Sequence, residues 1–126
     1  MNTVTTDSSA QAAHSIPNIN TTNISAHLSF ASHNVRSFTN TAKQHTLIEQ
    51  YISSNIDAIG LQETNFHHQH IRSFNKEHNS NFMGFFSTAS TSSKTGFGVG
   101  ILLRPLLANH VFFHKQIFNR IIFVDM

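Results

Sequence analysis

A strand, a helix and a second strand follow one another within about forty residues, and this succession constrains the fold more than any other feature. Residues 27–35 carry a short strand pattern, and residues 57–63 form a second, largely apolar strand pattern. Between them, the spacing of apolar residues predicts an amphipathic helix over 42–54, with Thr39 or Thr41 as its N-cap. The apolar residues at helical spacing are Leu47, Ile48, Tyr51, Ile52 and Ile56. We therefore expect a βαβ-like unit with both strands in one sheet.

The remainder of the chain divides into a polar tail and one domain. Residues 1–23 are rich in Ser, Thr, Asn and Ala without hydrophobic periodicity, which predicts a disordered tail. Residues 24–126 are predicted to form the ordered domain. Within it, residues 65–76 fit either a short helix or a turn, and further strands are expected over 81–88, 98–103, 111–115 and 120–125. A chain of 126 residues is long enough for one domain at most.

Composition excludes several classes of protein. There is no cysteine, which excludes disulfides and thiolate metal sites. The net charge of +2 arises from 8 basic and 6 acidic side chains that form no run, so it gives little support for nucleic-acid binding. Neither a signal peptide nor an apolar stretch long enough to span a membrane is evident, and an intracellular protein is the default expectation.

Two polar residues end the first two predicted strands, Asn34 and Glu63. Because side chains alternate along a strand, each is expected to end the apolar face of its own strand. The apolar face so defined comprises Leu28, Phe30, Ile59 and Leu61. If the strands are parallel neighbours, Asn34 and Glu63 lie at one sheet edge, where α/β proteins place their sites. A carboxylate there suits a hard cation such as magnesium. Spacing alone favours a turn asparagine and a solvated glutamate over a functional site.

Four segments together carry a resemblance to a known family. They are 32–37 (Ser-His-Asn-Val-Arg-Ser), 57–64 (Asp-Ala-Ile-Gly-Leu-Gln-Glu-Thr), 98–103 (Gly-Val-Gly-Ile-Leu-Leu) and 119–124 (Asn-Arg-Ile-Ile-Phe-Val). In order and spacing the chain resembles the endonuclease/exonuclease/phosphatase superfamily, and the buried strand ending in Leu-Gln-Glu-Thr is the most specific element. The motifs are most similar to those of AP endonucleases and of non-LTR retrotransposon endonucleases. Asn119 stands where the family usually has Gly.

The resemblance implies an α+β fold, namely a deoxyribonuclease I-like four-layered α/β/β/α sandwich of which this chain would be the N-terminal portion. It implies phosphodiester hydrolysis, with DNA or another phosphodiester as substrate. It further implies magnesium or manganese as cofactor, with Glu63 as metal ligand and catalytic residue, and Asn34 helping to place the metal or the phosphate.

The chain also departs from the family pattern. The family uses a later Tyr, an Asp-x-Asn unit, a further Asp and a late Asp-His pair, none of which this sequence contains in place. Tyr51 lies on the apolar face of the predicted helix and is expected in the core, and Asp125 matches no family motif. The chain alone is therefore expected to be inactive. The alternatives are a fragment of a phosphatase acting on small phosphoesters, and a catalytically inactive remnant or interaction protein.

Other features suggest weaker hypotheses. His67, His68 and His70 are expected on a loop or short helix rather than in a metal site, and Arg36 is expected to be solvated. The phenylalanines, including Phe112 and Phe113, are expected in the core. A truncated sandwich would leave the apolar sheet face uncovered, so oligomers or aggregation are expected.

Overall fold

The protein has a mixed α+β fold. The structure, a computed structural model, describes residues 2–6, 27–88, 96–117 and 120–126. The strands it contains are β1 (Asn2–Thr6), β2 (Leu28–Asn34), β3 (Ala58–Gln62), β4 (Met83–Phe86), β5 (Val99–Leu103), β6 (Phe113–Ile117) and β7 (Ile121–Asp125). The helices are α1 (Thr41–Ser53), α2 (His68–His78) and the single turn α3 (Pro105–Ala108).

Five strands form the main sheet, in the order β1-β2-β3-β5-β4. Strands β2 and β3 are parallel neighbours joined through α1, which confirms the predicted βαβ-like unit. The other neighbouring pairs in this sheet are antiparallel. Since β2 and β3 run in the same direction, their carboxyl ends meet at one edge of the sheet, and the candidate site is built there.

Both longer helices pack on the same face of this sheet. One contiguous cluster joins Ala31 of β2, Ile59 of β3 and Leu102 of β5 to Tyr51 of α1 and Phe74 of α2. Tyr51 and Phe74 have no exposed surface, which confirms Tyr51 as a core residue. Burying a large apolar side chain stabilises a fold by about 1.5–3 kcal/mol, so these contacts fix the helices to the sheet.

Helix α1 matches its predicted range, but its cap differs from the prediction. The Asn40 side chain accepts a hydrogen bond from the Lys43 amide at 3.0 Å, so Asn40 is the N-cap rather than Thr39 or Thr41. Asparagine caps as well as serine and better than threonine, and it lies between the two threonines in sequence. The ambiguous segment 65–76 becomes α2, where Phe74 and His78 face the core.

A two-stranded hairpin, β6–β7, lies on the opposite face of the main sheet. Phe85 alternates with the buried Phe86 along β4 and therefore points away from the helices, and its ring lies 5.0 Å from that of His114 in β6. The other face of the hairpin is open to solvent. Phe112 and Phe113 are 74% and 47% exposed, so their expected burial in the core is wrong.

The predicted apolar face of the first two strands is also wrong. Ala31 pairs with Ile59 and His33 with Leu61, so Ile59 and Leu61 face the helices and are fully buried. Phe30 pairs with Ala58 and lies on the opposite face, where it is 38% exposed. The error arose because each strand was aligned by its polar terminal residue, whereas the ladder pairs Asn34 with Gln62.

The beginning of the chain departs from the expected disordered tail. Residues Asn2–Thr6 form β1, which pairs antiparallel with β2 from Asn2 opposite Ser32 to Thr6 opposite Leu28. Strand β2 has a free edge before β1 is added, and a threonine- and valine-containing segment is compatible with pairing there. The rest of the predicted tail lies outside the described residues.

None of the helices in the described ranges has the length and apolar character needed to cross a membrane.

One buried polar contact links β2 to α1 and provides a test of this packing. The Tyr51 hydroxyl hydrogen-bonds Nδ1 of His33 at 2.6 Å, and burial raises the pKa of Tyr51. Tyr51→Phe keeps the ring but leaves the His33 nitrogen unpaired, so we expect the free energy of unfolding to fall by about 1–2 kcal/mol. Urea denaturation at neutral pH measures this change. An unchanged midpoint would show that the contact contributes nothing.

Candidate functional site

The two parallel strands continue to hydrogen-bond beyond their ends. The amides of Val35, Ser37 and Phe38 donate to the carbonyl oxygens of Gln62, Glu63 and Thr64 at 3.0, 2.6 and 3.0 Å, respectively. The segment after β2 therefore runs beside the segment after β3. We call these segments the 34–38 loop and the 63–66 loop. Side chains from both reach the same edge of the sheet.

Left-handed backbone conformations are concentrated at this edge. The described non-glycine residues with positive φ are Arg36, Ser37, Asn55, Glu63 and Asn65. Four of these five belong to the two loops, with φ of 49° and 79° at Arg36 and Ser37 and 58° at both Glu63 and Asn65. Such conformations cost roughly 1–2 kcal/mol for a residue with a Cβ atom. Their concentration is typical of sites in which geometry is maintained at the expense of stability.

Side chains fix the 34–38 loop in this conformation. Asn34 Oδ1 accepts a hydrogen bond from the Arg36 amide at 3.1 Å. From α1, the Lys43 ammonium donates to the carbonyl oxygens of Val35 and Arg36. The Ser37 and Thr39 hydroxyls are also within hydrogen-bonding distance, at 3.2 Å. The loop is therefore held from both of its sides.

Asn65 fixes the second loop against the segment that precedes β5. Its Oδ1 accepts from the amides of Gly96 at 2.9 Å and Phe97 at 3.1 Å, and its own amide donates to the Phe97 carbonyl at 2.8 Å. Gly96 has φ of 96°, and a Cβ atom there would lie 3.3 Å from Oε1 of Glu63. A glycine thus lets the backbone approach the Glu63 carboxylate closely.

Glu63 lies between two adjoining clefts. The first, of about 410 Å³, is lined by Arg36, Ser37, Glu63, Asn65 and Gly96. The second, of about 360 Å³, is lined by Gln62, Glu63, Gly96, Phe97, Gly98, Val99 and Arg120. The Arg120 guanidinium lies over the Phe97 ring at 5.0 Å from its centroid. One carboxylate therefore has an arginine in the cleft on each side.

Asn34 and Glu63 lie at the same edge of the sheet, but they do not continue one common face. The Gln62 side chain donates to the Ser32 hydroxyl at 3.0 Å, which places Gln62, Ser32 and Asn34 on the face opposite the helices. The left-handed conformation of Glu63 ends the strand alternation, and its side chain lines the clefts instead. Asn34 lines neither cleft, and its carbonyl oxygen already bonds the Arg36 amide.

The sheet edge offers few protein ligands for a magnesium ion. Across the ranges that the structure describes, no three side chains of His, Cys, Asp or Glu are grouped so that they could hold a metal ion. Magnesium is, however, often bound through one or two protein carboxylates, with waters and substrate phosphates completing its shell. Glu63 supplies one such carboxylate in an open cleft, so it fits a metal that is shared with a substrate.

The histidine cluster has a structural role. The His67 amide donates to Nδ1 of His70 at 2.9 Å, and the two residues form the capping box of α2. Burial lowers the pKa of His70, and the nearby His67 lowers it further. His68 is exposed on the first turn.

Sequence reasoning missed Asn65, Lys43 and Gly96. An asparagine directly after the Glu-Thr pair and a Gly-Phe-Gly sequence are both compatible with left-handed turns, and this was the available signal. Comparison of the chain with protein-family models, with curated proteins and with solved structures gave no significant match.

Asn65 provides a direct test of how the clefts are held. Asn65→Ala removes the acceptor for two amides, so hydrogen exchange at Gly96 and Phe97 should accelerate roughly tenfold or more. Asn65→Gly should give the same acceleration with a smaller loss of stability, because glycine accepts the left-handed conformation. Asn109→Ala, at the exposed end of α3, is the matched control. Unchanged exchange at both amides in Asn65→Ala would contradict the assigned contact.

Proposed function

We propose that this chain forms the metal-binding edge of a divalent-metal-dependent phosphodiesterase of the endonuclease/exonuclease/phosphatase type. The observation that carries the proposal is the position of Glu63. It is the acidic residue of the Leu-Gln-Glu-Thr element, follows a parallel strand at its carboxyl end, and lines two clefts that each contain an arginine. A phosphodiester is an anion, and arginine is well suited to bind it.

The layer order supports the proposal at the level of fold. Helices, the five-stranded sheet and the β6–β7 hairpin follow one another as three layers. A deoxyribonuclease I-like sandwich would begin in this way, with the hairpin as the first part of its second sheet. The resemblance of segment 119–124 to the family lies in β7 and the residues before it, although Asn119 itself is outside the described residues.

Each residue has a distinct role in the proposed site. Glu63 would hold magnesium or manganese, and the bound metal would act as a Lewis acid on a phosphoryl group. Arg36 and Arg120 would neutralise the charge of the substrate on either side of Glu63. Asn34 is a positioning residue in this scheme, because its side chain holds the Arg36 amide rather than lining a cleft.

DNA is the substrate that we propose, in keeping with the similarity of the motifs to AP endonucleases and retrotransposon endonucleases. A small phosphoester remains the second candidate within the same chemistry. The candidate from a different class is a catalytically inactive remnant or interaction protein. The arrangement at Asn34 favours this last alternative, because its Oδ1 already accepts from the Arg36 amide and Glu63 is the single carboxylate among the described residues that line the clefts.

Metal binding tests the site independently of catalysis. Manganese should broaden the amide resonances of Glu63 and Gly96 in the native chain before those of α1. Glu63→Gln should weaken manganese binding by about tenfold to a hundredfold, whereas Glu49→Gln, on the exposed face of α1, should leave it unchanged. Equal affinity in the native chain and Glu63→Gln would remove the proposed metal ligand.

Plasmid nicking in the presence of magnesium, measured on the same three proteins, separates the active from the inactive alternative. We expect little nicking by the native chain, because one carboxylate without a positioned general base is a poor catalyst. Robust nicking that is lost in Glu63→Gln and retained in Glu49→Gln would overturn the expectation of inactivity and support the enzyme.

Self-association is a separate proposal, and the structure changes the surface that it would use. Ile59 and Leu61 are buried, whereas Phe113, Ile121 and Phe123 are 47%, 52% and 40% exposed on the outer face of the β6–β7 hairpin. Contiguous exposed apolar surface favours association. Sedimentation velocity should show oligomers that Phe123→Ser reduces, whereas Leu106→Ser, at an even more exposed position on α3, should not. A monomeric native chain at high concentration would refute this proposal.

A further inference from the structure

His78, the last residue of α2, is a buried histidine with an unsatisfied nitrogen. The residue is only 3% exposed, and its Nε2 atom has no hydrogen-bond partner among the residues that the structure describes. A buried polar atom without a partner costs about 1–3 kcal/mol, and burying a charge costs considerably more. The neutral imidazole is therefore tolerated at this position, whereas the protonated form would lack an acceptor for its second N–H group.

Two rings enclose His78. Its ring lies 4.7 Å from that of Phe74 on the same helix and 4.7 Å from that of His45 on α1. His45 in turn lies 3.4 Å from a carboxylate oxygen of Glu77. The ionisable groups that act on His78 are thus His45 from α1 and Glu77 from α2. The turn that follows, residues 79–82, contributes Asn, Ser, Asn and Phe and no ionisable side chain.

Electrostatics agrees with this geometry. Burial lowers the pKa of His78 below its ordinary value of 6.5, His45 lowers it further, and Glu77 opposes both effects. In the unfolded chain the imidazole takes up a proton as the pH falls through about 6.5, whereas in the folded chain it resists protonation. Since the unfolded state then binds more protons, stability is fully present above pH 6.5 and is lost on acidification.

Ring contacts through Phe74 connect His78 to the loops of the candidate site. Phe74 lies 5.5 Å from the ring of Phe38 and 6.1 Å from that of Phe66. Phe38 directly follows Ser37, and Phe66 directly follows Asn65, so each ring anchors one of the loops that line the first cleft. Displacement of Phe74 would therefore act on both loops together.

We propose that His78 is an acid-sensitive latch, which holds α2 against α1 while neutral and, when protonated, releases Phe74 and with it the 34–38 and 63–66 loops. This inference goes beyond the proposed function and does not depend on it. It assigns to the chain a response to acidification below the pH range in which an exposed histidine changes charge, because the pKa of His78 is lowered.

The first experiment compares urea midpoints between about pH 7.5 and about pH 5 in the native chain, His78→Phe and His68→Phe. We expect the midpoint of the native chain to fall on acidification. This fall should be at least halved in His78→Phe and unchanged in His68→Phe, whose histidine is exposed on the same helix. His33 and His70 account for the remainder, because they also have a lowered pKa but are less buried. An equal fall in all three proteins would overturn the proposal.

A second measurement on the native chain keeps the test valid if His78→Phe does not fold. A sample carrying ¹³C-labelled histidine and phenylalanine is titrated by NMR, and the ring signals of His78, Phe38 and Phe66 are followed. We expect the Phe38 and Phe66 signals to change over the same pH range in which His78 becomes protonated. Protonation of His78 with unchanged Phe38 and Phe66 signals would show that no latch connects them.

Discussion

The stacked contact between Phe38 and Phe66, at 5.7 Å between ring centroids, joins the two loops on which the candidate site depends. Both rings are fully buried and both pack against Phe74, so α2 supports the two loops through this side chain. A contact of this kind contributes about 0.5–1.5 kcal/mol beyond the burial of its area. Its larger effect is geometric, because it fixes the ends of the 34–38 and 63–66 loops, which contain residues in unfavourable left-handed conformations.

The polar contacts above these rings complete the arrangement. Asn34 and Lys43 hold one loop and Asn65 holds the other, each by hydrogen bonds to backbone groups. The clefts are lined by the Glu63 carboxylate and by Arg36 and Arg120, and the Arg120 guanidinium also lies over the Phe97 ring. Loops held through their backbones keep the side chains that line the clefts in fixed positions, as a binding site requires.

The sequence predicted those elements whose stability comes from periodic burial, and it failed where a single local contact decided the outcome. Helix α1 was predicted because its apolar face repeats over several turns. The sequence also predicted that α1 connects two strands of one sheet, which the structure shows to be parallel neighbours. The cap at Asn40 was missed because three adjacent residues could each have served. The shared face of Asn34 and Glu63 was predicted wrongly because strand register and a left-handed residue are set by partners distant in sequence. Similarly, the edge pairing of β1 depends on β2 and not on its own composition.

The left-handed conformation of Glu63 has a consequence for how this position would change over many generations. Glycine or asparagine would adopt φ of 58° with less strain, so Glu63→Gly or Glu63→Asn would relieve part of the cost of the turn. In a lineage that needed only a folded chain, drift would favour those replacements. A glutamate that is retained at this position despite its conformational cost would therefore indicate selection for its carboxylate. The residue found at position 63 in related chains would therefore distinguish lineages under functional selection from lineages that need only a folded chain.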